Sequence, residues 1–157
     1  MLTHTPSGRS ALLVQSTDIV AAVGGVASND KFVLVALSDG QLRGLTEKQA
    51  RACIDQGACY ICAWGRNCEE MEETFDYAAF LPELGGDLPF TLMTTSHRDD
   101  TLEDALEFAF RWAQPPDDLP FPLNRVVVVA DTNGLLERCA QWIATENKRA
   151  QGHGFAA

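Results

Sequence analysis

The sequence predicts an α/β domain: a three-layer sandwich on a mostly parallel sheet of four or five strands, Rossmann-like or flavodoxin-like in its layering. Three observations carry this expectation. Four short apolar runs rich in β-branched residues recur along the chain, at 32–37, 58–64, 90–95 and 125–130. Each is nearly continuous rather than alternating in polarity, which is the pattern of a strand covered on both faces. Segments with helical periodicity and helix start signals lie between them, and strand alternating with helix implies parallel strands joined by right-handed crossovers.

The elements follow in order. Residues 10–15 read as an edge strand or a short helix, and 19–23 as either, before Gly24 and Gly25 turn the chain. After the first run, Thr46 with Gln49 forms a capping box, Leu45 and Ala50 can staple across it, and Gly57 stands where a helix over 46–56 would end. After the second, Asn67 with Glu70 makes another box, opening a helix to about residue 81 with Met71, Phe75 and Ala78 or Ala79 on its buried stripe. After the third, Asp100 with Glu103 opens a helix. Its faces carry Leu102, Leu106, Ala109 and Ala113, and Ala105, Phe108 and Trp112, and Pro115 and Pro116 stop it. Residues 114–124 form a proline-rich crossing loop. A last helix starts near Gly134 and presents Leu135, Leu136, Cys139, Ala140 and Ile143 before a polar tail, 146–157, expected to fray.

At 157 residues the chain suits one domain over 1–157, with enough core to fold without a metal or a disulfide. Its 46% apolar and 22% charged residues exclude a disordered or fibrous class. No apolar run approaches the ~18 residues that span a bilayer, and no signal-like start is present, so a cytoplasmic location is expected. The five cysteines are odd in number and sit in apolar or helical segments, so they read as free thiols.

The net charge of −10 is concentrated. Residues 66–107 hold twelve acidic side chains and only two basic ones, Arg66 and Arg98, which sums to −10 and leaves the rest of the chain neutral. No basic stripe is present to neutralise phosphates, so nucleic acid and anionic membranes are not expected partners. A basic protein surface would be attracted, although an acidic face also serves solubility alone.

In open α/β sheets ligands sit at the carboxyl ends of the strands. Those ends bring Asp39, then Trp64, Gly65, Arg66 and Cys68, then Thr95, Ser96 and His97, then Asp131 to one rim. Trp64, Gly65, Arg66, Thr95 and Ser96 are the expected contacts of a small-molecule ligand. Cys68 at a helix start, His97 as base, and Asp39 or Asp131 as orienting carboxylate would form a nucleophilic set. The bland reading is a cysteine that packs under the helix and a histidine that bonds a loop. Cys59 and Cys62 have CxxC spacing, but within a strand residues three apart point to opposite faces, so no shared metal follows. Cys62, Cys68 and His97 would be the zinc alternative, which no second close ligand pair supports, so neither metal nor cofactor is implied. The 40–46 turn, with Gly40, Arg43 and Gly44 before Thr46, would take a small anion on its amides, or serve as an ordinary turn; it is not a P-loop.

The motifs Cys62-Ala63-Trp64-Gly65, Cys68-Glu69, and Thr94-Thr95-Ser96-His97 followed by Leu102-Glu103-Asp104-Ala105-Leu106 resemble a family of bacterial α/β proteins defined only as a domain of unknown function. The resemblance covers about 32–131. An aromatic residue often stands in that family where Ser96 stands here, a departure at the rim. The resemblance implies no activity; it marks the same strand ends that the physical argument nominates.

Besides a ligand sensor that would take an anion at the 40–46 turn, two functions are carried forward, one of them enzymatic. One is a binding or regulatory module contacted at the carboxyl rim of the sheet or on the acidic helices. The alternative is a small thiol-dependent hydrolase or transferase using Cys68 and His97.

Overall fold

A computed structural model describes residues 2–4, 7–25, 30–42, 44–120 and 122–155. The elements are β1 (Leu2–His4), β2 (Ser10–Gln15), α1 (Ile19–Gly24), β3 (Phe32–Ser38), α2 (Glu47–Asp55), β4 (Ala58–Gly65), α3 (Cys68–Ala78), a 3-10 turn (Pro82–Leu84), β5 (Met93–His97), α4 (Leu102–Glu107) continued by a π turn (Phe108–Trp112), β6 (Arg125–Ala130) and α5 (Asn133–Phe155). The strands form one sheet in the order β1-β2-β6-β3-β4-β5. Five of them, from β2 through β5 in that order, are parallel, and β1 pairs antiparallel with β2.

Helices α1, α2 and α3 pack side by side on one face of the sheet, while α4 and α5 cover the other. This follows from the strand order. The steps β2 to β3, β3 to β4 and β4 to β5 all progress toward the same edge, so right-handed crossovers lay their helices on one face. The return from β5 to β6 reverses direction, so α4 lies opposite. Every residue of β3 is buried, as is β6 from Val126 to Ala130, which is why these central strands read as unbroken apolar runs. Phe32, Phe75 and Phe110 are the largest fully enclosed side chains.

Several local expectations hold. Thr46 accepts from the Gln49 amide and Gln49 reaches back to the Thr46 amide, so the capping box is complete. Gly57 has φ +124°, and a Cβ there would lie 2.9 Å from the Asp30 carbonyl oxygen. Others are corrected. Asn67 does not cap α3: its φ is 53°, in the left-handed region, and its side chain makes no capping bond. Thr101 rather than Asp100 caps α4, accepting from the Asp104 amide. The third strand runs over Met93–His97 instead of 90–95, so His97 ends the strand rather than following it. Helix α3 stops at Ala78, three residues short of the expected end, and α5 continues to Phe155 through the segment expected to fray.

The π turn has a visible cause and consequence. The Ala113 amide reaches back five residues to the Phe108 carbonyl, and buried Arg9 donates to the carbonyls of Ala109 and Ala113 at the same end. A single wide turn of this kind shifts the helical phase. Trp112, expected on a packed face, is 65% exposed.

Candidate functional site

The residues nominated at the carboxyl rim divide into two groups on different parts of it. The first lies between β3 and β6. These neighbours are followed by helices on opposite faces of the sheet, α2 and α5, which makes their ends the place where the topology switches and where α/β proteins open a ligand crevice. Here the crevice is filled from within. Asp131 is 2% exposed. Its carboxylate accepts from the amides of Asp39 (2.9 and 3.0 Å) and Gln41 (2.8 Å) and from the Ser38 hydroxyl (2.9 Å). The same hydroxyl accepts from the amides of Gly40 (3.0 Å) and Leu42 (3.4 Å). The turn after β3 therefore does present converging amides, and two of them serve the protein's own carboxylate. Arg43, the cation of the anion-binding alternative, lies outside the described residues.

The β4-to-α3 turn drapes over this group. The Arg66 amide donates to the Ser38 carbonyl at 3.0 Å. Gly65 has φ +99°, and a Cβ there would fall 2.0 Å from the same carbonyl oxygen, so only glycine fits. The Arg66 and Asp39 side chains approach to 3.7 Å, but both are well exposed, so their pairing contributes little.

The second group gathers at the end of β5. Thr95 and His97, two apart on one strand, project to the same face. The His97 Nδ1 lies 2.7 Å from the Asp100 carboxylate and its Nε2 lies 2.9 Å from the Thr95 hydroxyl. Trp64, opposite His97 on β4, donates from Nε1 to the Asp100 carbonyl at 2.9 Å. The ring of Phe108 stands 5.0 Å from the imidazole between centroids. With a neutral ring, this network favours the tautomer that carries its proton on Nδ1 and accepts from Thr95 at Nε2. A hydroxyl, an imidazole and a carboxylate in that order can activate the hydroxyl, but His97 is only 7% exposed. The arrangement fixes the loop over 98–101 to the end of the sheet.

Cys68 is the first residue of α3 and is buried beside the His97 backbone, not its ring. Both imidazole nitrogens are engaged by other residues. Burial pushes the Cys68 thiol above its ordinary value, and hydrogen bonds from the His97 and Glu69 backbone oppose that only in part. Asp131, three strand spacings from His97, is roughly 14 Å away across the sheet. The structure therefore does not bring Cys68, the His97 ring and Asp131 together. Ser96 points to the other face, toward Glu72 on α3. Among the described residues, no three His, Cys, Asp or Glu side chains converge as metal ligands would. No helix among them is long and apolar enough to cross a membrane.

The remaining thiols share the character of Cys68. Burial pushes Cys53, Cys62 and Cys139 up to about 12 and Cys59 up to about 11. At pH 8 such groups are thiolate in about one molecule in a thousand or fewer. Iodoacetamide is expected to leave the native protein essentially unmodified at that pH and to label all five cysteines once it is unfolded. Prompt stoichiometric alkylation of Cys68 in the native state would contradict this and would restore it as a nucleophile.

Asp100 is a site residue that sequence reasoning missed: its place three residues after a histidine at a strand end is a signal, but its spacing to Glu103 reads equally as a helix cap, which Thr101 supplies instead.

No curated protein matches the chain. Residues 13–146 match the family described as Domain of unknown function (DUF7684), a span from β2 into α5 that includes every rim residue discussed above. The protein belongs to that family.

Proposed function

We propose that this protein is a binding module whose acidic margin, built around β5, receives a basic protein partner. The observation that carries the reading is where the fold puts the charge of residues 66–107. Helix α3, with Glu69, Glu70, Glu72, Glu73 and Asp76, lies on one side of β5. The segment after β5 supplies Asp99, Asp100, Glu103, Asp104 and Glu107. Some of this charge is answered internally: Arg98 approaches Glu69 at 3.5 Å, Arg138 pairs with Glu103 at 3.1 Å, and Arg111 pairs with Glu107 at 2.9 Å. On α3, by contrast, Glu70, Glu72, Glu73 and Asp76 form no salt bridge among the described residues. A single-signed surface of this kind speeds and orients encounter with an oppositely charged one, in a salt-dependent way.

Dodecalysine, titrated into the isotopically labelled protein, tests the reading. Amide shifts are expected to be confined to α3, β5 and residues 98–107, with affinity falling about tenfold or more between about 50 and 300 mM salt. The double variant Glu69→Lys, Glu73→Lys is expected to lose the interaction. Salt-insensitive binding, or shifts centred elsewhere, would overturn the reading.

A further inference from the structure

β5 ends the sheet. Its inner side pairs with β4 from Met93 to His97, and its outer side pairs with no strand among the described residues. Alternate residues of such a strand turn their amide and carbonyl groups outward. Proteins usually guard such an edge with proline, lysine, a bulge or a covering segment. Met93–His97 contains no proline and no lysine.

The two faces beside this edge differ in chemistry. On the α3 face, three carboxylates run in step with alternate residues of the strand. Asp76 accepts from the Thr94 hydroxyl at 2.6 Å, Glu72 meets the Ser96 hydroxyl, and Glu69 meets Arg98 just beyond the strand at 3.5 Å. Helix positions 69, 72 and 76 share one face, and the ~4.5–6 Å between them roughly matches the ~6.6 Å between alternate strand residues. Burial first, and the charge of Asp76 second, push Glu72 above the ordinary carboxyl range, as expected for a row of like charges. On the opposite face, exposed Met93 and Trp112 line a groove of about 570 Å³ with Tyr60, Pro115 and Pro116, which Asp117 and Asp118 also border.

We propose that β5 takes an extended segment of the basic partner as a further strand, with lysine or arginine on alternate residues along Glu69, Glu72 and Asp76 and apolar side chains toward Met93 and Trp112. The inference rests on the acidic-margin reading and specifies how that surface is used. A second copy of this chain is the poorer occupant, because edge-to-edge pairing would bring two acidic rows together. Strand addition supplies main-chain hydrogen bonds, and the period-two alternation of side chains supplies selectivity.

The test uses the full chain and a hexapeptide alternating valine and lysine. It is compared with an isomer of three valines followed by three lysines, and with two N-methylated forms, one methylated at every valine nitrogen and one at every lysine nitrogen. In an added strand only one of these two sets of amides faces β5. The alternating peptide is expected to bind at least tenfold more tightly than the block isomer. One methylated form should lose at least tenfold while the other stays close to the parent, and amides within Met93–His97 should exchange at least tenfold more slowly in the complex. If both methylated forms bind like the parent, or both lose equally, or the block isomer binds as well, strand addition is wrong. The acidic-margin reading then still stands on the dodecalysine result. If neither dodecalysine nor any hexapeptide binds, both fail.

Discussion

Replacing Gly65 with alanine is expected to destabilise the protein by about 4 kcal/mol or to prevent folding altogether. Two costs combine. The residue holds φ +99°, a conformation that costs an L side chain on the order of 1–2 kcal/mol. The new Cβ would also sit 2.0 Å from the Ser38 carbonyl oxygen, 3.1 Å from its carbon and 3.3 Å from its nitrogen. All three are backbone atoms of β3, so no flexible side chain can swing aside and the ends of β3 and β4 would have to part. Gly86→Ala is the control, because its φ is +72° but nothing lies within 4 Å of the added methyl; it should cost only about 1 kcal/mol. Urea unfolding followed by circular dichroism measures both. A Gly65→Ala shift no larger than that of Gly86→Ala would mean that the β4-to-α3 turn relaxes freely and that its close approach to Ser38 does not matter.

Removing the Asp131 carboxylate is expected to cost somewhat less, about 2–4 kcal/mol for Asp131→Ala. The substitution leaves the buried Ser38 hydroxyl and the part-buried amides of Asp39 and Gln41 without their acceptor; an unsatisfied buried donor costs roughly 1–3 kcal/mol, and less where water can reach it. Asp131→Asn should cost less, since its remaining oxygen can still accept at the Oδ2 position while its amino group replaces only the acceptor that faces the Asp39 amide. Ser38→Ala should cost about 1–2 kcal/mol alone. It should add little on top of Asp131→Ala, because the two side chains organise the same turn. A double-mutant cycle reads that coupling directly. Fully additive losses would show that Asp131 and Ser38 support the fold separately, and the account of a crevice closed by its own carboxylate would then fail.

What was legible from sequence was local. The Thr46 capping box needs only residues three apart and a preceding loop, and it formed as expected. Asn67 carries the same signature and did not cap. Its backbone is drawn into the left-handed region, in the turn that Gly65 allows to lie against Ser38, a contact between segments almost thirty positions apart. The β5 boundary failed for a related reason. A strand covered on both faces announces itself as an apolar run, whereas β5 is an edge strand whose Thr94, Thr95 and Ser96 are only partly buried. Its apolar prefix at 90–92 was the more visible signal and was not the strand. The strand ends two residues later than expected, which brings His97 into it, beside Thr95 on one face, and away from the role of a loop residue.

The candidate site followed the same division. Sequence put the nominated residues at the strand ends but not in their two groups, because hydropathy records which faces of an element are buried and carries no record of which strands become neighbours. Asp131 meets Ser38 because β6 returns to lie beside β3. Asp131 is far from His97 because β3 and β4 stand between β6 and β5.

From the chain alone came the alternation of strands and helices, their layered packing, the free character of the thiols and the confinement of the net charge to one stretch, all of which depend on residues near one another in sequence. The order of the strands, the closing of the switch crevice by Asp131, the Thr95–His97–Asp100 network and the placement of the acidic stretch around an open edge were settled by the tertiary structure. Each depends on contacts that form only when crossovers bring distant strand ends together, and the polarity of neighbouring residues does not encode those contacts.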